Sequence, residues 1–218
     1  MVDFAAARVN MVESQLRPNR VSDRRIIEAI ENLPREEFFP EDMRGIAYVD
    51  RSIKIGETRC ILDPMVFARL VQALDAQSGE MALDIACGSG YSAAVLASLC
   101  ETVVGVECEG ALVELANKAL NSVGVDNAVI VEADFQGGYV KQAPYNVILI
   151  NGMVEELPVS ITDQLALGGR LAAVIKDEQG IGRATLIQKS ASGLSRRVLF
   201  DASIPPLAEF SKEVEFSF

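Results

Sequence analysis

Histidine is absent from the 218 residues of this chain. Its absence excludes the Ser-His-Asp triad, Cys-His nucleophile pairs and metal sites with histidine ligands. Cysteine is scarce, and no two cysteines show Cys-x-x-Cys spacing: Cys60, Cys87, Cys100 and Cys108. We therefore expect free thiols, no metal site and a reducing, cytoplasmic location. Any reaction of this protein has to proceed without imidazole.

Positive charge is also in short supply, with 20 lysines and arginines against 31 aspartates and glutamates and a formal net charge of −11. Such a protein has few cations for nucleic-acid phosphates or anionic membranes, so we expect neither as a partner. Gly, Ser or charged residues interrupt the apolar runs well before the ~20 residues of a membrane span. The first residues carry acids within their apolar stretch, which is not typical of a signal peptide.

From residue 81 onward the chain has a regular alternation of predicted strands and helices. Apolar runs such as MALDIA, TVVGVE and YNVILIN alternate with helix-like segments, which predicts right-handed crossovers and a mostly parallel sheet. We predict a helix over residues 158–167, a strand that opens at Gly168-Gly169 and, last, an antiparallel hairpin around the turn SASG.

Upstream of this region the apolar spacing is helical, with Ser22 as the predicted cap of one helix and Asp63-Pro64 as the start of another. The predicted fold class is therefore α/β: a doubly wound, mostly parallel Rossmann-like sheet with a C-terminal antiparallel hairpin and an N-terminal helical cap. We divide the chain into residues 1–76, the helical cap with a substrate-side loop, and residues 77–218, the Rossmann-like ligand-binding domain.

A glycine turn, Gly88-Ser89-Gly90, follows the first strand of the Rossmann-like domain. Its spacing fits the dinucleotide fingerprint, which would place a pyrophosphate here. Asp84 lies four residues before the turn, however, and its carboxylate would repel a pyrophosphate and suit an ammonium group. The two glycines allow the backbone to approach a ligand closely. The turn therefore favours a cationic ligand over a diphosphate, and a nicotinamide-dependent dehydrogenase is a distant alternative.

Acidic residues also end the next two strands. Glu107 closes the second strand, at the position where an acid typically binds a ribose diol. Asp134 and Phe135 follow the third, where a carboxylate and a ring could bind and stack on an adenine. The predicted ligand therefore has an ammonium, a ribose and an adenine but no phosphate, and S-adenosyl-L-methionine is a ligand of this kind. The predicted cofactor residues are Asp84, Gly88, Ser89, Gly90, Glu107, Asp134 and Phe135.

With these residues in place, the chain resembles the protein-L-isoaspartate O-methyltransferases from about residue 8 to residue 175. The resemblance includes Met11-Val12-x-x-Gln15-Leu16, Pro34-Arg35-Glu36-x-Phe38-x-Pro40, Ala47-Tyr48-x-Asp50, Gly88-Ser89-Gly90-Tyr91 and Gln164-Leu165-x-x-Gly168-Gly169-Arg170-Leu171. It implies methyl transfer to an isoaspartyl carboxylate of a damaged protein. That acceptor is already ionised near neutral pH, so catalysis is mostly orientation and desolvation, without a general base.

The chain departs from the family in the segments that the family directs at the acceptor. Leu62 stands at the position of a serine, and Arg59 at the position of a glutamine; both are our candidates at the catalytic position. Asn151 and Met153 fall where the family has Thr-Ala-Ala, and with Arg59 they are the candidate substrate contacts. Losing one hydrogen bond to a carboxylate costs roughly 1.5–3 kcal/mol.

Arg59 has two interpretations of equal weight. Its guanidinium could hold the acceptor carboxylate through two parallel bonds. It could equally form an exposed, weak ion pair with Glu57 or Asp63.

Three functions stay open for the whole chain. The first is an isoaspartyl carboxyl O-methyltransferase for protein repair, with a protein or peptide substrate. The second is a methyltransferase with a different, small-molecule acceptor in a pocket formed by the replaced residues. The third is a cofactor-binding module without catalysis.

Overall fold

The computed structural model describes residues 3–211 of the chain. The remaining parts of the two predicted domains, residues 1–2 and 212–218, lie outside the described residues. The strands are β1 (Ile53–Lys54), β2 (Cys60–Ile61), β3 (Met81–Ile85), β4 (Thr102–Glu107), β5 (Ala128–Glu132), β6 (Tyr145–Val154), β7 (Leu165–Lys176), β8 (Gly182–Ser190) and β9 (Gly193–Asp201). The α-helices are α1 (Phe4–Met11), α2 (Arg24–Asn32), α3 (Pro64–Leu74), α4 (Tyr91–Ala97), α5 (Gly110–Ser122) and α6 (Val159–Asp163). Short helical turns of other types cover Val12–Leu16, Arg17–Asn19, Arg35–Phe38, Glu41–Ile46, Val140–Gln142 and Ala208–Phe210.

A seven-stranded sheet with the order β5-β4-β3-β6-β7-β8-β9 forms the centre of the described structure. Strands β3 to β7 pair in parallel, and β8 and β9 add an antiparallel hairpin at one edge. The predicted fold class and the C-terminal hairpin are confirmed. Because β4 and β6 flank β3, the strand order reverses there, and the carboxyl end of β3 is the place where open α/β sheets bind ligands.

The first residues of α2 and α3 show which side chain caps each helix. The carboxylate of Asp63 accepts a hydrogen bond from the Val66 amide at 2.8 Å, so the predicted start of α3 is confirmed. The predicted cap of α2 is wrong by one residue, because Asp23, and not Ser22, accepts from the Arg25 amide at 2.9 Å.

The predicted helix over residues 158–167 is too long. Helix α6 ends at Asp163, and β7 begins at Leu165, ahead of the two glycines. Leu165 is buried and pairs with Tyr145 of β6. Pairing with a neighbouring strand therefore overrides the helical spacing of these residues.

The N-terminal helices and the sheet share one hydrophobic cluster. The ring of Phe38 packs edge-on against Tyr91 of α4, with 5.5 Å between the ring centroids. The division of the chain at residues 76 and 77 stays a prediction. No helix within residues 3–211 has the length and apolar character that crossing a membrane requires.

Candidate active site

The glycine turn lies directly beyond the carboxyl end of β3. Gly88 and Gly90 have φ angles of 55° and 86°, in the left-handed region that favours glycine. A Cβ at Gly90 would lie 3.0 Å from the Cβ of Ala116, so the turn packs tightly on α5. Ser89, between the glycines, is fully buried, and its hydroxyl has no hydrogen-bond partner within residues 3–211. A buried orphan hydroxyl is costly and is a candidate ligand contact.

Asp84 lies under this turn, in β3, with no exposed surface. One carboxylate oxygen accepts from Ser92 Oγ at 2.6 Å and the other from Asn151 Nδ2 at 2.6 Å. Both partners are neutral, and the described residues place no cation on this carboxylate. Burial raises the pKa of Asp84 to about 7, although the bonds from Ser92 and Asn151 lower it. The carboxylate is therefore suited to a positively charged ligand group.

A cavity of about 20 Å³ lies beside these residues and is lined by Leu62, Ser92 and Asn151 among others. It has room for about one water molecule, whereas small-molecule pockets enclose roughly 300–1,000 Å³. The structure thus brings Leu62 and Asn151 together, next to Asp84. Met153 does not line this cavity, and its backbone pairs instead with a segment near the C-terminus.

The second predicted acid, Glu107, ends β4 and is also fully buried. Its carboxylate accepts from the amides of Gly88 at 3.0 Å, Cys108 at 2.7 Å and Glu109 at 3.1 Å. The remaining partner is Arg59, whose Nε lies 3.0 and 3.1 Å from the two carboxylate oxygens. Glu107 therefore already has a cation in contact, unlike Asp84.

Arg59 has 1% of its surface exposed. Besides Glu107, its side chain contacts Phe135 and Glu209. Its guanidinium carbon lies 4.7 Å from the centroid of the Phe135 ring. Its terminal nitrogens donate to the carboxylate of Glu209 at 2.7 and 3.3 Å. Burial lowers the pKa of Arg59, but the hydrogen bonds that it donates to Glu209 and the charge of Glu107 outweigh this and raise the pKa. The guanidinium is a permanent, buried cation.

The proposed ion pair of Arg59 with Glu57 or Asp63 is wrong, because its partners are Glu107 and Glu209. The loop that carries Arg59 explains the difference. The carboxylate of Glu109 accepts from the amides of Glu57 and Thr58 at 3.0 and 2.9 Å. With the loop in this position, the Arg59 side chain contacts Glu107 and Glu209, and not the acids that are adjacent in sequence.

Residues 205–211, which we call the C-terminal strap, cross the same edge of the sheet. The strap is bound to β6, because the Met153 amide donates to Pro205 O at 3.0 Å and the Leu207 amide donates to Met153 O at 2.9 Å. The ring of Phe210 is stacked on Phe135 with 5.9 Å between centroids. The strap therefore covers the ring that we predicted to stack on adenine.

Asp134 is exposed and accepts from the Gln136 amide at 2.9 Å, directly beside the buried Phe135. Sequence reasoning missed Glu109 and Glu209. No local pattern marks Glu209 as a partner of Arg59, because the two residues lie 150 positions apart along the chain. Among residues 3–211, no group of three or more acids or cysteines could hold a metal ion.

Comparison with known proteins identifies the relatives of this chain. The model of the protein-L-isoaspartate(D-aspartate) O-methyltransferase family matches residues 7–202. The chain belongs to this family. It is 37% identical over 205 residues to "Protein-L-isoaspartate O-methyltransferase 1" of Rhodopseudomonas palustris (strain HaA2), which covers 94% of this chain and 84% of that protein. A protein of the same name from Syntrophobacter fumaroxidans is 38% identical over 81% of this chain and 83% of its own length.

A solved protein-L-isoaspartate O-methyltransferase has a TM-score of 0.78 and 26% identity, over 91% of this chain and 65% of that one. The predicted family is therefore confirmed. Membership places the chain in a class of O-methyltransferase enzymes that use S-adenosylmethionine.

The two ends of the predicted cofactor site fit S-adenosylmethionine differently. We call Asp84 with residues 88–90 the methionine end, and Glu107 with Asp134 and Phe135 the nucleoside end. The methionine end fits, since it offers an orphan hydroxyl and a buried carboxylate without a cation. The nucleoside end has fitting residue types, but Arg59 contacts both its buried members. A nucleoside would need the position that Arg59 fills.

Proposed function

We propose that this chain transfers a methyl group from S-adenosylmethionine to the isoaspartyl carboxylate of damaged proteins or peptides. The observation that carries the proposal is the family match over residues 7–202, which includes the N-terminal part that lies outside the Rossmann-like segment. The geometry at the carboxyl end of β3 supports it, because the predicted ammonium partner is buried there beside the glycine turn.

Each predicted cofactor residue has a role in this proposal. Bound S-adenosylmethionine supplies an electrophilic methyl group on a sulfonium. Asp84 would pair with its ammonium, and residues 88–90 would allow close backbone approach. Glu107 would accept hydrogen bonds from the ribose, and Asp134 with Phe135 would hold the adenine.

The acceptor side is built for orientation and exclusion of water. Leu62 and Asn151 line the cavity next to Asp84, and Leu62 is 3% exposed. An ionised acceptor carboxylate needs no proton removed, so placing it in a dry site is the main task of the protein. The roles of Arg59 and Met153 as substrate contacts stay predictions; for Arg59, an acceptor would have to replace Glu209.

Methyl transfer to matched peptides tests the proposal. Purified protein is incubated with methyl-labelled S-adenosylmethionine and an isoaspartyl peptide, with the ordinary aspartyl peptide of the same sequence as the control. We expect base-labile label on the isoaspartyl peptide alone. No labelled ester, with S-adenosylhomocysteine binding shown by calorimetry, would reject the isoaspartyl acceptor.

The replacement of the family's serine by Leu62 favours a second candidate, a methyltransferase for a small apolar carboxylic acid. A screen of such acids that yields a methyl ester, while isoaspartyl peptides stay unlabelled, would support it. Binding without turnover on any acceptor would point to a module without catalysis. The net charge of −11 supports a protein or small-molecule partner over nucleic acid. The four free thiols support a cytoplasmic location.

A further inference from the structure

Arg59 makes the contacts at the nucleoside end that a nucleoside would make. A ribose diol donates two hydrogen bonds to its acid, and Arg59 Nε lies 3.0 and 3.1 Å from the two oxygens of Glu107. An adenine covers the face of its stacking ring, and the flat guanidinium lies 4.7 Å from the Phe135 centroid. Glu107 and Phe135 consequently have no exposed surface.

The C-terminal strap closes the other side of the guanidinium. Glu209 accepts from both terminal nitrogens of Arg59, at 2.7 and 3.3 Å, which is the paired geometry that arginine and carboxylate prefer. The strap is anchored independently, since Gln136 Nε2 donates to Glu209 O at 2.8 Å and Phe210 is stacked on Phe135. Arg59 and the strap therefore occupy one continuous part of the site.

We infer that Arg59 and Glu209 form an internal plug in the nucleoside end, and that the cofactor binds only after Arg59 leaves Glu107 and the strap loosens. This inference rests on the proposed function, because it takes Glu107 and Phe135 as cofactor contacts. The plug makes the closed state autoinhibited: the chain competes with its own cofactor for one carboxylate and one ring.

Glu107 would keep hydrogen-bond donors after the departure of Arg59. Glu107 keeps its three amide donors, from Gly88, Cys108 and Glu109, so its charge is not left bare. Within residues 3–211, and apart from the side chain of Arg59 itself, the hydrogen bonds that tie loop 55–59 to the rest of the chain are exposed ones, from Glu57 and Thr58 to Glu109. Such contacts are weak, so the loop can open without disrupting the core.

The size of the effect follows from the closed population. The apparent dissociation constant equals the intrinsic constant divided by the open fraction, so a plug that is open roughly a tenth of the time weakens binding about tenfold. Removing the plug is therefore expected to strengthen the apparent affinity for the cofactor by the same factor. A purely structural ion pair would instead lower stability when removed, without a gain in affinity.

Calorimetry with S-adenosylhomocysteine on the full chain tests the plug. The variants are Arg59→Gln, which installs the residue type of the family, and Glu209→Gln. Arg170→Gln is the matched control, because that guanidinium is also held by a carboxylate, of Glu80, away from the site. We expect Arg59→Gln to bind about tenfold tighter or more, Glu209→Gln to gain less, and Arg170→Gln to match the wild type.

Hydrogen exchange gives a second readout that needs no activity. Adding S-adenosylhomocysteine to the wild type should speed exchange across the strap, including the Leu207 amide that donates to Met153. Unchanged or weaker binding by a folded Arg59→Gln protein would overturn the plug, as would a strap that exchanges no faster with ligand. If Arg59→Gln fails to fold, Glu209→Gln decides by the same affinity criterion.

Failure of the proposed function looks different. Tighter binding by Arg59→Gln without ester on any isoaspartyl peptide contradicts the acceptor and leaves the plug intact. Methylation of the isoaspartyl peptide with no gain in affinity contradicts the plug alone. Absence of S-adenosylhomocysteine binding by every variant overturns the plug.

Discussion

The acids of the methionine end and the nucleoside end are equally buried, but only the acid of the nucleoside end is paired with a cation. Asp84 and Glu107 both have no exposed surface. Asp84 receives hydrogen bonds from two neutral side chains, Ser92 and Asn151. Glu107 is paired with the cation of Arg59 and with three amides. One end therefore lacks a positive charge, and the other already contains one.

This difference shows that residue type at a strand end does not determine what the residue can bind. A buried carboxylate without a cation favours any ligand that supplies one. A carboxylate that already pairs with a guanidinium has to lose this charge-assisted hydrogen bond before it can accept one from a neutral hydroxyl. Recognition of the ammonium is expected to come from the chain as it stands, whereas under the proposed plug recognition of the ribose would require Glu107 to exchange Arg59 for the ribose.

The largest effect is expected from Phe210→Ala, which removes the ring that covers the nucleoside end. Phe210 is 5% exposed and stacked on Phe135, so truncation should lower the free energy of unfolding by about 3 kcal/mol. Urea denaturation measures it, and Leu194→Ala, at a side chain that is 52% exposed, is the control. Unchanged stability would mean that the strap does not pack on the sheet.

Asp84→Asn tests the methionine end. The exchange keeps the shape but removes the negative charge, and it places an amide among the donors of Ser92 and Asn151. We expect the affinity for S-adenosylhomocysteine to fall about a hundredfold or more, since a buried ammonium loses its partner. Calorimetry measures it, with exposed Asp163→Asn as the control. Wild-type affinity in Asp84→Asn would mean that the negative charge of Asp84 does not contribute to ligand binding.

Leu62→Ser probes the acceptor side of the methionine end. A hydroxyl at this position adds a donor for the acceptor carboxylate, so kcat/KM for isoaspartyl peptide should rise roughly ten- to hundredfold. Leu62→Ala makes the same space without a donor and should show no such gain. Equal rates in both variants would mean that space, and not the hydrogen bond, limits the reaction.

The smallest effect is expected from pH. Because burial raises the pKa of Asp84 to about 7, its carboxyl is mostly neutral near pH 6 and mostly ionised near pH 8. The ammonium binds only the ionised form, so affinity for S-adenosylhomocysteine should weaken roughly tenfold from about pH 8 to about pH 6. Calorimetry across this range measures it. Constant affinity, or tighter binding in acid, would mean that Asp84 is not the titrating partner.

Much of the fold could be predicted from local patterns. The alternation of apolar runs predicts the parallel sheet. Asp63-Pro64 predicts the start of α3, where the Asp63 side chain accepts a hydrogen bond from the amide of Val66, three residues further on. The predictions that were wrong, Ser22 as a cap and a helix reaching residue 167, concern places where a neighbouring residue or strand competes for the same backbone groups. Such competition is not visible in spacing alone.

The sequence indicates candidate site residues but does not indicate how their side chains pair. The acids at the ends of β3 and β4 and the Gly88-Ser89-Gly90 turn do lie at one edge of the sheet, next to each other. Their roles as cofactor contacts stay predictions. The contact that joins Arg59 to Glu107 cannot be predicted from spacing, because the chain has 31 aspartates and glutamates and no local pattern shows which of them lie near Arg59 in space.

By itself, the sequence determined the fold class, the family and the kinds of side chain at the sheet edge, since periodicity and short motifs act over a few residues. Only the tertiary structure decided that Arg59 contacts Glu107 and Phe135. Its two carboxylates lie 48 and 150 residues away along the chain, and the loop held by Glu109 brings the guanidinium to both. Charge pairing depends on distance in space, which the topology of the sheet sets and local sequence does not.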